Sequence, residues 1–397
     1  MTGLKIPVGI QSFSKMRDYG YCYVDKTALI EELLAPCPPE VGLITRPRRF
    51  GKSLSMDMLA EFLDIRAEEL EPGSRARLFG GLQIMRNRAI CDTWMGKYPV
   101  CFLSLQDIVG SSFDDALNRI STLMYYSRSR YNYLTTSDSV CEATRTRLNQ
   151  LFARTTDINL LIDSLSEICF ALQQHWNKKV VLIIDEYDVP LSHAVHDPEY
   201  YQQTENFMKP FFSQVLKGNT NVIEFVVMTG CLRITIESLL SGLNNFRCFG
   251  VGDAKLADKL GFTPAEVDML LAQAGQSEKK DLLASWYDGY HFGPDKEIYC
   301  PWDIIHYLAD LNDDPNKRPV SYWTNTSLTT HIYKLLDKHK SAFAADIQNL
   351  VNGGCLQIKI KEKLTFKNLL SDANNIWTLL YPEFPPNGER HGEMPPL

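Results

Sequence analysis

Three consecutive residues, Gly51, Lys52 and Ser53, carry the clearest chemistry in the chain. A glycine lets backbone N–H groups approach an anion with no Cβ in the way. The lysine that follows can reach terminal phosphates, and the serine hydroxyl can hold a divalent cation. The tripeptide sits in the stretch LITRPRRFGKSLSMDML, residues 43–59. The commoner phosphate-loop spacing, G-x-x-x-x-G-K-[ST], has a first glycine where this chain has Arg46. That leaves a working nucleotide loop, an altered one and a chance basic turn all open. The candidate cofactor-binding set is Arg46, Pro47, Arg48, Arg49, Phe50, Gly51, Lys52, Ser53 and Leu54.

A second stretch, VVLIIDEYDVPL, places Asp185 and Glu186 directly after an apolar run. A carboxylate at the C-terminal end of a buried strand lies where open α/β sheets bind ligands, and it suits a Mg²⁺ shell. Asp185 and Ser53 are the candidate metal ligands, and Glu186 is the candidate general base that polarises an attacking water. A third stretch, VVMTGCLRI, ends a strand with the hydroxyl of Thr229, and Arg233 follows four residues on. Thr229 and Arg233 join Lys52 and Glu186 as the candidate catalytic residues. Their competing readings are a strand-capping threonine and a surface arginine. Two other constellations carry less weight. His193 and His196 are an i, i+3 pair without a third metal ligand, and Cys231 has no histidine partner and reads as a buried thiol.

These residues need elements to hold them. Four short apolar runs, at Val41–Thr45, 98–105, 179–185 and 222–230, lack clean alternation and read as strands covered on both faces. Leu54, Met58, Leu59 and Phe62 share a helical face after the glycine loop. Ile158, Leu161, Leu165, Ile168 and Leu172 share another before the third strand. A further helix is expected over 199–218, with Pro210 as a kink or break and Gly218 as its stop. Strand and helix in alternation predict a layered α/β fold with a parallel sheet and right-handed crossovers.

Beyond about Val251 the character changes. Thr263, Pro264 and Glu266 spell a capped helix start, and helical patterns follow at 280–287, 302–311 and 329–338. The expected division is an α/β core over 1–250, a mainly helical region over 251–380 and a disordered proline-rich tail over 381–397.

Bulk composition narrows the classes. The chain has 397 residues, 45% hydrophobic and 22% charged, enough for two or three domains with sizeable cores. A net charge of −7 gives no whole-protein basic field toward nucleic acid, so such a contact needs a local patch. No apolar run is long enough to predict a transmembrane helix, and the start has no secretory pattern. Ten scattered cysteines without C-x-x-C read as reduced, mostly buried thiols, and the expectation is a cytoplasmic protein without membrane contact.

Taken in order, these stretches resemble the bacterial AAA-ATPase-like family that often precedes a PD-(D/E)xK nuclease-like domain. The resemblance rests first on the N-terminal segment with Gly9, Phe13, Tyr23, Val24, Asp25, Lys26 and Thr27. It continues through RPRRFGKS, LIIDEYDVPL and TGCLRITIESLLSGLNNF, then GFTPAEV, WYDGYHFG, IYCPWDII and YWTNTS. It covers about residues 6–380. It implies a P-loop NTPase of the additional-strand type. The sensor strand, ending in Thr229, then lies between the phosphate-loop strand and the Walker B strand that ends in Asp185. It also implies ATP and Mg²⁺ as ligands of Lys52, Ser53, Asp185 and Glu186. The aromatic segment around WYDGYHFG is expected to pack within a helical lid. The chain departs from many relatives in lacking the nuclease pattern, since the only nominal Glu-x-Lys, at 278–280, lies between helices; no nuclease activity is expected, and a shortened or truncated member is.

Two function classes follow. One is a Mg²⁺-dependent ATP-binding and ATP-hydrolysing regulatory module. The other is a nucleotide-switched module without turnover, in which Arg46, Arg48, Arg49 and Lys52 hold a nucleic-acid backbone or a protein partner. A homo-oligomer, with an arginine supplied by a neighbour, stays open.

Overall fold

Apolar runs flanked by helices on both sides have to become interior strands, because only such strands can bury side chains on both faces. A computed structural model of the chain shows this arrangement; it describes residues 4–195, 197–217, 220–231, 239 and 246–322, and isolated positions beyond 343. The strands are β1 (Val41–Thr45), β2 (Val100–Ser104), β3 (Val180–Asp185), β4 (Ile223–Gly230) and β5 (Phe246–Phe249). They form one sheet in the order β2-β3-β4-β1-β5. β3 pairs in parallel with β2 and with β4. Every residue of β3 and of β1 is buried, which accounts for their unbroken apolar character. β4, which carries Thr229 next to its last residue, therefore lies between β1 and β3, as the additional-strand topology requires. β5 is the strand that the apolar runs do not announce. It is short, and only Phe249 of its four residues is buried.

The chain divides into two compact units. One comprises residues 33–44 and 59–248; the other comprises 1–32, 45–58 and 249–397. In the first, helices Phe113–Tyr131, Ile158–Trp176 and Pro198–Leu216 accompany the sheet. The expected break at Pro210 does not occur. Helix Pro198–Leu216 runs through it, and Phe207, Met208, Phe211, Phe212 and Val215 are buried around it. That burial outweighs the single backbone hydrogen bond a proline removes. Asp157 and Asp197 start their helices by accepting backbone N–H bonds, which supplies the stop-and-start signals between strands.

In the second unit, Thr263 and Glu266 form the expected capping box at the head of helix Pro264–Gln273. Glu266 also accepts a hydrogen bond from Lys26 Nζ at 2.7 Å, and Lys26 Nζ reaches the Asp258 carbonyl at 3.0 Å. Asp25 accepts from both the backbone and the hydroxyl of Thr27. The Asp-Lys-Thr triplet is thus a structural bracket. Helices Lys280–Tyr287 and Pro301–Asp313 follow. Between them the segment YHFGPDKEI forms an antiparallel hairpin, β6 (Tyr290–Phe292) and β7 (Lys296–Ile298), where a helical lid was expected. Gly293 supplies the left-handed conformation that its turn needs.

Among the described residues no helix is long and apolar enough to cross a membrane. None of the described cysteines is in a disulfide, but only Cys101, Cys169, Cys231 and Cys300 are buried, fewer than the sequence suggested. The helix expected at 329–338 lies outside the described residues, and so do Gly218 and the proline-rich tail apart from residues 393 and 394.

β2 is an edge strand, and its open backbone is closed by one phenol. Tyr131 accepts the Phe102 N–H at 2.8 Å and lies 3.4 Å from the Val100 and Phe102 carbonyls. Burial pushes the Tyr131 hydroxyl well above its usual pKa, so it stays protonated. Tyr131→Phe orphans that N–H and should cost about 1–3 kcal/mol. A lower urea midpoint at unchanged denaturant slope is the expected result.

Candidate functional site

The loop after β1 is built around Arg46, the residue that replaces the usual first glycine. Its side chain is fully buried. One guanidinium nitrogen donates to the carbonyls of Thr45 at 2.8 Å and Phe249 at 3.0 Å, and the other donates to the Leu256 carbonyl at 2.9 Å. The face of the group lies 5.1 Å from the centre of the Phe292 ring. An arginine offers five donors in a fixed fork, which is why it can satisfy several carbonyls from one buried point. The guanidinium ties the loop to the backbone at residues 249 and 256.

Phe50 is the second anchor. It is buried beside Val251, Ala257, Phe292, Ile298 and Cys300, with Tyr290 edge-on at 4.9 Å between ring centres. The residues of WYDGYHFG therefore do have a task, since Tyr290 and Phe292 are the floor beneath Phe50. Gly261, at φ +85°, leaves the space; a Cβ there would stand 2.3 Å from Ile298 and 3.0 Å from the Phe50 ring.

Arg49 has a left-handed backbone, φ +70°, a conformation that costs a non-glycine residue about 1–3 kcal/mol and must be held from outside. The hold is visible. Its guanidinium stacks 3.9 Å over the Trp302 ring and donates to the Tyr322 carbonyl at 3.1 Å, and the Trp302 indole donates to the same carbonyl at 3.3 Å. Tyr322 is itself fixed by its hydroxyl on Asp310, at 2.7 Å. Two residues on, Gly51 has φ +78° with open space around its Cβ position, so its role is the turn itself. Lys52 is buried, and its ammonium donates back into the loop, to the carbonyls of Arg46 at 3.1 Å and Pro47 at 3.0 Å. Pro47 is buried, while Arg48, Ser53 and Leu54 are half-buried. The residues 46–54 thus form one braced loop opening helix Lys52–Leu63.

The second group lies at the C-terminal ends of three adjacent strands. Asp185 is fully buried, as is Thr229. The Thr229 hydroxyl donates to Asp185 Oδ1 at 2.5 Å and accepts the Glu186 N–H at 3.3 Å. One hydroxyl therefore joins both acidic residues, and its proton is directed to Asp185. The other carboxylate oxygen, Oδ2, accepts from the Ser104 hydroxyl at 3.2 Å. Glu186 is half-buried and left-handed at φ +53°, with its Oε2 3.8 Å from Cys231 Sγ. Cys231 N–H binds Asp188 Oδ2 at 3.0 Å. Gly230 is obligatory there, because a Cβ would stand 2.5 Å from the Tyr187 ring and 2.7 Å from Asp188 Oδ1.

Asp185, Glu186 and Thr229 are brought together at the strand ends, while Arg233 lies outside the described residues. Ser104 and the anchors Tyr290, Phe292, Trp302 and Tyr322 were not singled out individually from sequence. Ser104 is marked by nothing in one dimension, because its importance comes from strand register. For Mg²⁺ the donor chemistry fits. The ion takes hard oxygen ligands and usually binds through one or two carboxylates together with substrate phosphates and water. Among the described residues no group of three or more His, Cys, Asp or Glu side chains could hold a metal alone.

Restoring the commoner glycine at position 46 should harm the protein. Arg46→Gly and Arg46→Met both strand three carbonyls and are expected to lose at least about 3 kcal/mol by chemical denaturation. Wild-type stability in either variant would show that the guanidinium is not a structural bolt.

Comparison with known proteins agrees with this layout. A family model described as a predicted AAA-ATPase matches residues 7–240, more than half of the chain. An uncharacterized protein of the vnfD 5′ region of Azotobacter chroococcum mcd 1 is 26% identical over 345 residues. The match covers 86% of this chain and 58% of that relative.

Proposed function

The chain belongs to the predicted AAA-ATPase family, and from that premise we propose that it binds ATP with Mg²⁺ and hydrolyses it. The observation that carries the reading is the Thr229 hydroxyl, shared between the Asp185 carboxylate and the Glu186 backbone at the sheet's C-terminal edge. That arrangement gives two adjacent acidic residues different tasks. Asp185 is buried and locked by hydroxyl donors, as suits a metal-holding carboxylate. Glu186 is half-buried, with a softer contact to a thiol, as suits a side chain that meets a water.

In this reading Lys52 exchanges the Arg46 and Pro47 carbonyls for phosphate oxygens when nucleotide binds. The first turn of helix Lys52–Leu63 directs its backbone N–H groups toward the same phosphates. Ser53 and Asp185 would hold Mg²⁺, which when bound neutralises charge on the phosphates. Glu186 orients the attacking water and takes its proton. Positioning and electrostatics supply most of the acceleration in phosphoryl transfer, so the bracing of the loop by Arg46, Arg49 and Phe50 is itself part of the proposal.

The alternative, a loop that grips a nucleic-acid backbone through its arginines, fits the geometry less well. The Arg46 guanidinium is spent on buried carbonyls, and Arg49 is stacked on Trp302 and bonded to Tyr322. A cation so engaged must break those contacts before it can meet phosphate.

The test is nucleotide binding and steady-state turnover on the full chain, with and without single-stranded and duplex DNA. Lys52→Ala should lose nucleotide binding. Glu186→Gln should keep it and lose turnover by about 10²-fold or more. Binding without wild-type turnover in any condition would support the non-hydrolysing module, and no binding at millimolar ATP would sink both readings.

A further inference from the structure

Parallel strands in register place one side chain from each in a row. Ser104 of β2 is the register partner of Asp185 of β3, and Ile184 is the partner of Met228 in β4. Continued by one residue, the register aligns Ser104, Asp185 and Thr229 across three neighbouring strands. The carboxylate stands in the middle of this row. Thr229 donates to Oδ1 and Ser104 donates to Oδ2, at 2.5 and 3.2 Å.

This arrangement does more than pair strands. The backbone already pairs here, since Leu105 N–H binds the Asp185 carbonyl at 2.9 Å, so the sheet does not need the Ser104 hydroxyl. What the hydroxyl adds is an attachment on Oδ2. The last torsion of an aspartate is soft, and hydroxyl donors on both oxygens, from the strands on either side, restrain it.

Resting on the ATP and Mg²⁺ reading above, we propose that Ser104 is a positioning residue that fixes the Asp185 carboxylate for a nucleotide-borne divalent cation. It acts through Asp185 and touches neither nucleotide nor metal. Partners of this kind typically alter metal affinity by about 10–100-fold when removed.

The experiment compares the affinity of the full chain for ATPγS in EDTA and in Mg²⁺, by isothermal titration. The ratio of the two isolates what the metal contributes. Ser104→Ala should leave the affinity in EDTA unchanged and reduce the Mg²⁺ enhancement by about 10-fold. Ser104→Thr keeps the hydroxyl on a residue that suits a strand, and it should restore the wild-type ratio. An unchanged ratio in Ser104→Ala overturns the inference while leaving the ATP reading intact. Equal losses in EDTA and Mg²⁺, or no rescue by threonine, also overturn it, because a merely structural serine behaves so. A wild type that binds ATPγS with no Mg²⁺ enhancement rejects the metal role of the row alone. A wild type that binds no ATPγS in either buffer rejects the ATP reading itself.

Discussion

A carboxylate buried without compensation is among the most expensive objects a fold can contain, and the sheet edge of this protein is organised around one. Asp185 is inaccessible to solvent, at the end of a strand whose every residue is buried. Buried there, the carboxyl group needs donors from other elements to converge on it. They come from both sides, from β2 and β4, and each depends on a strand register that a slip of one residue would destroy. The backbone pairing sets that register, and the register in turn brings the two hydroxyls to the carboxylate.

A second buried charge, Arg46, solves the complementary problem for the loop after β1. A loop that bends through a left-handed Arg49 is strained, and strain persists only where the surroundings over-determine it. Here the surroundings are carbonyls for the Arg46 fork, an aromatic bed for Phe50 and an indole face for Arg49. All three anchors use side chains drawn from the lead-in itself. The run of arginines before Phe50 is therefore framework as much as charge.

Much of this was legible in one dimension, and the part that was not has a physical reason. Four strands could be read because burial on both faces leaves apolar runs, and the Thr263 start because capping is a local transaction. Asp185, Glu186 and Thr229 could be singled out because strand ends are where acidic and hydroxyl residues interrupt such runs. β5 escaped because only one of its four residues is buried. The β6–β7 hairpin escaped because its aromatic residues suggested lid packing, although Gly293 and Pro294 between two short alternating runs were a turn signal. Ser104 could not be found at all, because a serine near the end of an apolar strand gains meaning only from the neighbour that the register brings to it.

Arg46 shows the limit of reading motifs by residue type. A pattern compares identities at fixed spacing and so scores arginine in place of glycine as damage. The fold compares directions. A glycine at the start of a phosphate loop provides freedom, which the backbone spends on wrapping an anion. An arginine there removes that freedom and replaces it with three directed bonds to the loop's own surroundings. The two solutions reach a defined backbone shape by opposite routes. One relies on a chain permitted to bend and the other on a chain prevented from relaxing. In the second route the loop's shape depends on residues far along the sequence, Phe249, Leu256, Tyr290, Phe292, Trp302 and Tyr322. The loop after β1 and the segment from Phe249 to Tyr322 are for that reason a single structural unit, even though about 200 residues of chain lie between them.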